Sequence, residues 1–279
     1  MKYDNNRPPM AVILADGIGS LFSPMTDSSA KCLLPVGGSA ILERIIRNCL
    51  SCGMSQFVLV LGHRADDVKQ FVNKTFRGIR ITYVINDKYR ETNTSYALMC
   101  AASAVGSAEF IKLDADTLFD VKILRQLVDD DRPNVVCIDR NAKLDDANVG
   151  ITADEQMRVL EIGRSVDHTL TVGQSIGLEK ISAKTGPLLF AELALMMENP
   201  ARFKDDCDTA YTQLINKGTI IHALDITGSR WTPIETAEDY AAANAMFRSP
   251  ITTVSRGQQR ALDEEAATAA TKQSTDRLS

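Results

Sequence analysis

The sequence predicts an α/β domain built on a mixed, mostly parallel sheet flanked by helices. Three observations predict it. Short runs such as Met10–Ala15 (MAVILA) and residues 57–61 (FVLVL) are apolar throughout, as in strands buried on both faces of a parallel sheet. These runs alternate with stretches of helical period. A glycine loop and an acidic cluster follow the carboxyl ends of two of them, where ligands bind on such sheets.

The elements follow in order. The strand at 10–15 runs into a loop at 16–20. Ser39 is read as the N-cap of a helix whose Ile41, Leu42, Ile45, Ile46, Cys49 and Leu50 share one face, with Gly53 as its stop. The strand at 57–61 ends at Gly62. A helix over 65–76 keeps Val68, Phe71, Val72 and Phe76 in step, and a strand is expected at 79–85. An Ala-rich helix spans 94–105, and a strand at 110–113 ends in Asp114. Further on we expect helices at 121–128, 187–197, 206–216 and 236–247. Strands are expected at 134–138, 157–162, 175–181 and 219–224. Residues 1–248 are expected to form the domain, with a small β-rich insertion at about 140–230. Residues 249–279 are rich in Ala, Thr, Gln and charge and read as a mobile tail with one weak helix at 261–271.

Composition narrows the function. The net charge is -5, without the basic stripe that nucleic-acid binding requires. No apolar run reaches the roughly 20 residues that span a bilayer, and the opening MKYDNNRPPM has no apolar core for a secretory signal. A cytoplasmic protein with neither a nucleic-acid nor a membrane partner is expected. Cys49 and Cys52 form a lone C-x-x-C, without the second pair or neighbouring histidines a zinc site needs. They are read as part of a helix and its end.

Three constellations carry chemistry. Leu14, Ala15, Asp16, Gly17, Ile18, Gly19 and Ser20 form a strand end and glycine loop, with Lys31 a few residues on. Glycines let backbone N–H groups approach phosphate oxygens, and a lysine adds charge; a tight turn that merely needs glycine is the bland alternative. A dinucleotide fingerprint is disfavoured, because Phe22 stands at its third glycine and Gly62-His63 ends the second strand. Asp114 and Asp116 close an apolar strand, and only one of the two is expected to face the crevice. One or two carboxylates plus substrate phosphates suit Mg²⁺; a helix cap or surface turn is the alternative. The stretch from Trp231 through Glu235 to Tyr240 marks the start of a last helix.

In this order and spacing the motifs resemble the nucleotidyltransferase family that includes phosphocholine, phosphonate and sugar-1-phosphate enzymes. Leu14 to Ser20 matches its L-A-A-G-x-G-S opening, and Lys31-Cys-Leu-Leu-Pro-Val its lysine segment. The stretch from Thr92 and Asn93 through Ser95 to Leu98 resembles the choline and phosphonate branch rather than the sugar branch, as does the stretch from Gly173 to Gly177. Trp231-Thr-Pro-Ile-Glu235 resembles the closing W-x-E-I-D. The resemblance covers about 10–247. It implies a Rossmann-like nucleotidyltransferase domain that uses Mg²⁺ to transfer CMP from CTP to a small phosphonate or phosphorylated acceptor. It also implies Lys31 and Asp116 as catalytic groups, Asp116 and Glu235 as metal ligands with Asp114 in support, the 14–20 loop with Asn93 and Ser95 as nucleotide contacts, and a homodimer as one assembly. Acceptor contacts are expected from Arg164, Lys180 and Trp231, with Arg140 as a further candidate cation. Four departures stand out: Leu21 for an arginine, Asp16 for an alanine, Ala30 for a proline, and Pro233 and Glu235 for a glutamate and an aspartate. Two alternatives stay open: a sugar-1-phosphate-type enzyme using another triphosphate, and a non-catalytic nucleotide-binding homologue.

Overall fold

A computed structural model describes residues 8–19, 22, 26, 29–142 and 148–248. Ser20, Leu21 and the 249–279 tail lie outside the described residues. In chain order the elements are β1 (Met10–Ala15), β2 (Pro35–Val36), β3 (Ser39–Ala40), α1 (Ile41–Ser51), β4 (Gln56–Leu61), α2 (Ala65–Thr75) and β5 (Arg80–Ile85). Then come α3 (Thr94–Cys100), α4 (Ala102–Val105), β6 (Phe110–Asp114), β7 (Thr117–Phe119), α5 (Val121–Val128), β8 (Asn134–Asp139), β9 (Gly150–Ala153) and β10 (Val159–Gly163). The chain closes with β11 (Gly173–Ile181), α6 (Gly186–Met196), α7 (Cys207–Asn216), β12 (His222–Asp225), β13 (Trp231–Pro233) and α8 (Ala237–Met246).

One nine-stranded sheet organises the domain, running β11-β6-β1-β4-β5, with β9 and β10 beyond β11 and β8 and β12 also joined to it. β1 pairs in parallel with β4 and with β6, and β4 in parallel with β5. β11 runs antiparallel to β6 and β8. The sheet is therefore mixed and mostly parallel. Alternate side chains of β1 supply two cores: Ala11, Ile13 and Ala15 face the core shared with α1 and α5, and Val12 and Leu14 face the one shared with α3, α6 and α7.

Several expectations change. Ser39 does not cap α1; it pairs in the β2–β3 ribbon, and Ala40 precedes the helix without a side-chain cap. The helix expected over 94–105 breaks at Ala101 into α3 and α4. β5 is an edge strand with exposed Arg80, Thr82 and Ile85 rather than a fully buried one.

The topology positions the site. From β1 the chain winds outward to β4 and β5, then returns to place β6 on the other side of β1. Strand order reverses between β1 and β6, which opens a crevice at their carboxyl ends.

Candidate active site

Both sequence loops reach this crevice. A cavity of about 580 Å³ is lined by Leu14 at the end of β1, by Asp16, Gly17, Ile18 and Gly19 after it, and by Asp114, Asp116 and Thr117 from the end of β6 to the start of β7. Gly19 has φ +67, and a Cβ there would lie 2.9 Å from Lys31 Cβ. Only glycine lets the loop fold this tightly over Lys31.

Asp116 and Glu235 are far apart in sequence but share this crevice. The cause is a short ribbon: β13 pairs antiparallel with β7, Pro233 opposite Thr117, and Ile234 N–H donates to Asp116 C=O at 2.8 Å. Lys31 Nζ donates to Asp116 Oδ2 at 2.8 Å. Burial, and then the charge of Asp116, push the Glu235 carboxyl up from its ordinary value. Two carboxylates that repel across a pocket suit a hard divalent cation. Among the described residues no three His, Cys, Asp or Glu side chains converge on one point. Mg²⁺ held here would therefore take its remaining ligands from phosphate oxygens and water.

Asp16, the departure in the glycine loop, is turned toward the protein. Its Oδ2 accepts from Asn86 Nδ2 at 2.7 Å, and Asn86 also bonds Thr92 Oγ1 at 3.1 Å. Burial raises the Asp16 carboxyl, against the Asn86 bond. The clasp joins the glycine loop to the segment carrying Asn93.

The inner wall of the crevice is a charged cluster. Lys112 is buried and its Nζ lies 2.6 Å from Asp114 Oδ2 and 3.2 Å from Glu179 Oε2. Gly177, at φ +77, leaves room for Asp114: a Cβ there would meet Asp114 Oδ2 at 2.4 Å. Asp208 and Tyr211 from α7 complete this wall. Arg164 reaches the crevice and pairs with Asp206 Oδ2 at 2.9 Å.

The structure brings most of the predicted site residues together and displaces others. Leu14, Asp16, Gly17, Ile18, Gly19, Asn93, Asp114, Asp116, Arg164, Trp231 and Glu235 all line the crevice. Asp114 and Asp116 both do so, which corrects the expectation of one: Asp114 ends β6, and the turn at 115–116 keeps Asp116 on the crevice as well. Ala15 is buried behind its loop. Ser95 is fully buried on α3 and outside the crevice, so it is not placed to touch a nucleotide. Lys180 is a clearer correction. It is the odd neighbour of Glu179 on β11, points to the opposite face, and donates to the Asp130 carbonyl. Trp231 keeps its place in the lining, and its Nε1 donates to Asp139 Oδ2 at 2.7 Å, which anchors the ring. Arg140 pairs with Asp225 rather than facing the cavity. Sequence reasoning missed Lys112, Glu179, Asp208 and Tyr211; the signal was a Lys and a Glu placed inside otherwise apolar strands.

A Rossmann-like sheet with a glycine loop, a lysine and paired carboxylates at the switch point defines the nucleotidyltransferase class. Residues 11–219 match the model of the MobA-like NTP transferase domain, and the chain belongs to that family. Relatives include the CMP-5'-(3-aminopropyl)phosphonate synthase of Streptomyces rubellomurinus, 30% identical over 120 residues, 43% of this chain and 19% of that protein. The choline-phosphate cytidylyltransferase of Haemophilus influenzae is 31% identical over 113 residues, 40% of this chain and 46% of that one. The matches thus span less than half the length of either. Among solved structures, the inositol-1-phosphate CTP transferase from T. maritima superposes with a TM-score of 0.73 at 18% identity, over 88% of this chain and 98% of that chain. The CTP:phosphocholine cytidylyltransferase of Streptococcus pneumoniae gives 0.70 at 18%, over 85% and 98%. At such identities the likeness shows the fold.

Proposed function

We propose that this chain transfers CMP from CTP to a small phosphonate or phosphorylated acceptor and releases pyrophosphate. The observation that carries the reading is that Asp116 and Glu235 line one crevice with the glycine loop, with Lys31 bonded to Asp116. Relatives named for transferring CMP to a phosphonate and to choline phosphate support the choice of nucleotide and acceptor class.

In this reading an acceptor oxygen forms a bond to the α-phosphorus in line, and the bond from that phosphorus to the bridging oxygen breaks. The electron pair leaves with pyrophosphate. The nucleophile is already ionised, so no general base and no covalent enzyme intermediate is required. Backbone N–H groups of residues 16–19 bind the terminal phosphates. Lys31 stabilises the charge that grows on the transferred group, and its contact with Asp116 fixes its position. Asn93, exposed at the crevice, orients the nucleoside. Asp116 and Glu235 hold Mg²⁺, which neutralises phosphate charge when bound. Arg90 and Lys204 also line the crevice and add positive charge to it.

The test is pyrophosphate release with CTP, UTP, GTP, ATP or dTTP, each with a panel of phosphonates, phosphocholine and sugar 1-phosphates. Release with CTP and a phosphonate or head-group phosphate is expected. Turnover only with another triphosphate and a sugar 1-phosphate refutes the CMP reading, and no turnover at all refutes transfer.

A further inference from the structure

We propose that the first turn of α8 positions both Glu235 and Lys31, with Asp239 and Tyr240 as its two positioning residues. This role rests on the transfer reading and gives neither residue a contact with substrate.

Asp239 lies four residues beyond Glu235. Its Oδ2 accepts from Glu235 N–H at 3.0 Å and from Thr236 N–H at 2.8 Å, and its own N–H donates to Thr236 Oγ1 at 3.2 Å. The exchange between Thr236 and Asp239 is a capping box, which starts the helix. The bond to Glu235 is additional to that box. On the other side, Ile234 N–H donates to the Asp116 carbonyl at 2.8 Å. Two successive peptide N–H groups are thus tied down, one to Asp116 and one to Asp239, and they set where the Glu235 carboxylate stands.

Tyr240 is the next residue. Its ring meets Phe22 edge-on, with centroids 6.2 Å apart and planes at 84°, a preferred aromatic geometry. Its OH donates to the Pro35 carbonyl. Phe22 is buried, and Lys31 Nζ lies 5.7 Å from its ring centroid, within reach of a cation–π attraction. Lys31 Nζ also donates to Asp116 Oδ2 at 2.8 Å. The contacts form a closed circuit, from Lys31 through Asp116 and Glu235 to the α8 turn and back through Phe22. Lysine has a flexible four-carbon stem, and two fixed contacts hold its end. The far end of α8 is anchored separately: Gly37 N–H donates to Asn244 Oδ1 at 3.2 Å, and Arg44 Nη2 donates to the Phe247 carbonyl at 3.2 Å. Changes in the first turn therefore leave the helix tethered.

The test combines paramagnetic titration of Mn²⁺ with CTP present and steady-state pyrophosphate release. Asp239→Ala should weaken Mn²⁺ binding by about 10-fold or more, as the loss of a partner that orients a metal ligand does. Asp239→Asn keeps an acceptor oxygen and should retain most of the affinity. Tyr240→Ala should lower kcat by about 10-fold or more at parental Mn²⁺ affinity, and Tyr240→Phe, which keeps the ring, should retain kcat. Asn244→Ala, at the far end of α8, should leave both quantities within about 2-fold. Parental values in Asp239→Ala and Tyr240→Ala overturn the proposal. So does a common fall of both quantities in every variant, Asn244→Ala included, because the turn would then only support the fold. Equal loss of Mn²⁺ affinity in Asp239→Asn and Asp239→Ala overturns positioning in favour of charge. A parent that neither binds Mn²⁺ nor releases pyrophosphate fails at the transfer reading itself, and the proposal falls with it.

Discussion

Replacing Gly177 by alanine should damage the inner wall by an amount that follows from the geometry. An L-residue at φ +77 costs about 1 kcal/mol. The new methyl carbon would stand 2.4 Å from Asp114 Oδ2, the oxygen that holds Lys112 Nζ at 2.6 Å. Moving that carboxylate weakens a buried ion pair whose outright loss costs about 3–5 kcal/mol. Partial displacement brings the total to about 2–4 kcal/mol. For a domain of this size that lowers Tm by on the order of 5–15 °C. Gly228→Ala is the control, since Gly228 has φ +81 but nothing within 4 Å of the added methyl. It pays only the backbone cost of about 1 kcal/mol. Urea denaturation of the two variants measures the difference. Equal destabilisation would refute the claim that Gly177 exists to make room for Asp114.

Three further outcomes follow from the same geometry. Lys31→Ala should lower kcat for pyrophosphate release about 10²–10³-fold, with a smaller effect on KM for CTP; a purely raised KM would mean that Lys31 binds rather than stabilises charge. Asp208 is raised to about 6, chiefly by burial and then by Asp206. A carboxyl raised on folding favours the folded state below its unfolded value near 4, and that advantage is lost as pH rises through 6. Asp208→Asn should therefore be more stable than the parent at pH 8, by about 1 kcal/mol, and the gap should close by pH 4; a gap independent of pH contradicts the assignment. Lys180→Gln should leave acceptor KM unchanged and destabilise by about 1–3 kcal/mol, because it strips a donor from the Asp130 carbonyl; a raised acceptor KM would restore Lys180 to the site.

What the sequence displayed was the part governed by period. β1, α5 and the glycine loop were visible because apolar runs and helical stripes repeat often enough to read. Lys31, Asp116 and Glu235 were visible through resemblance. The ribbon of β7 and β13 that unites Asp116 with Glu235 was not, since three-residue strands are too short to show a period. Lys180 misled for a related reason. It and Glu179 are adjacent charges on β11, and only the register against β6 and β8 decides which of them faces the crevice. Ser95 carries the motif of a nucleotide contact, whereas the first turn of α3 points it into the protein. The acidic wall was hidden because its members come from β6, β11 and α7, which meet only in the folded chain.

The central claim is that Asp116 and Glu235 together hold a divalent ion at the nucleotide. Electron paramagnetic resonance of Mn²⁺ titrated into the protein with CTP measures this directly. The account predicts one tightly bound ion in the parent and loss of that binding, by about 10-fold or more, in Asp116→Ala and in Glu235→Ala alike. Undiminished Mn²⁺ affinity in either variant would contradict it.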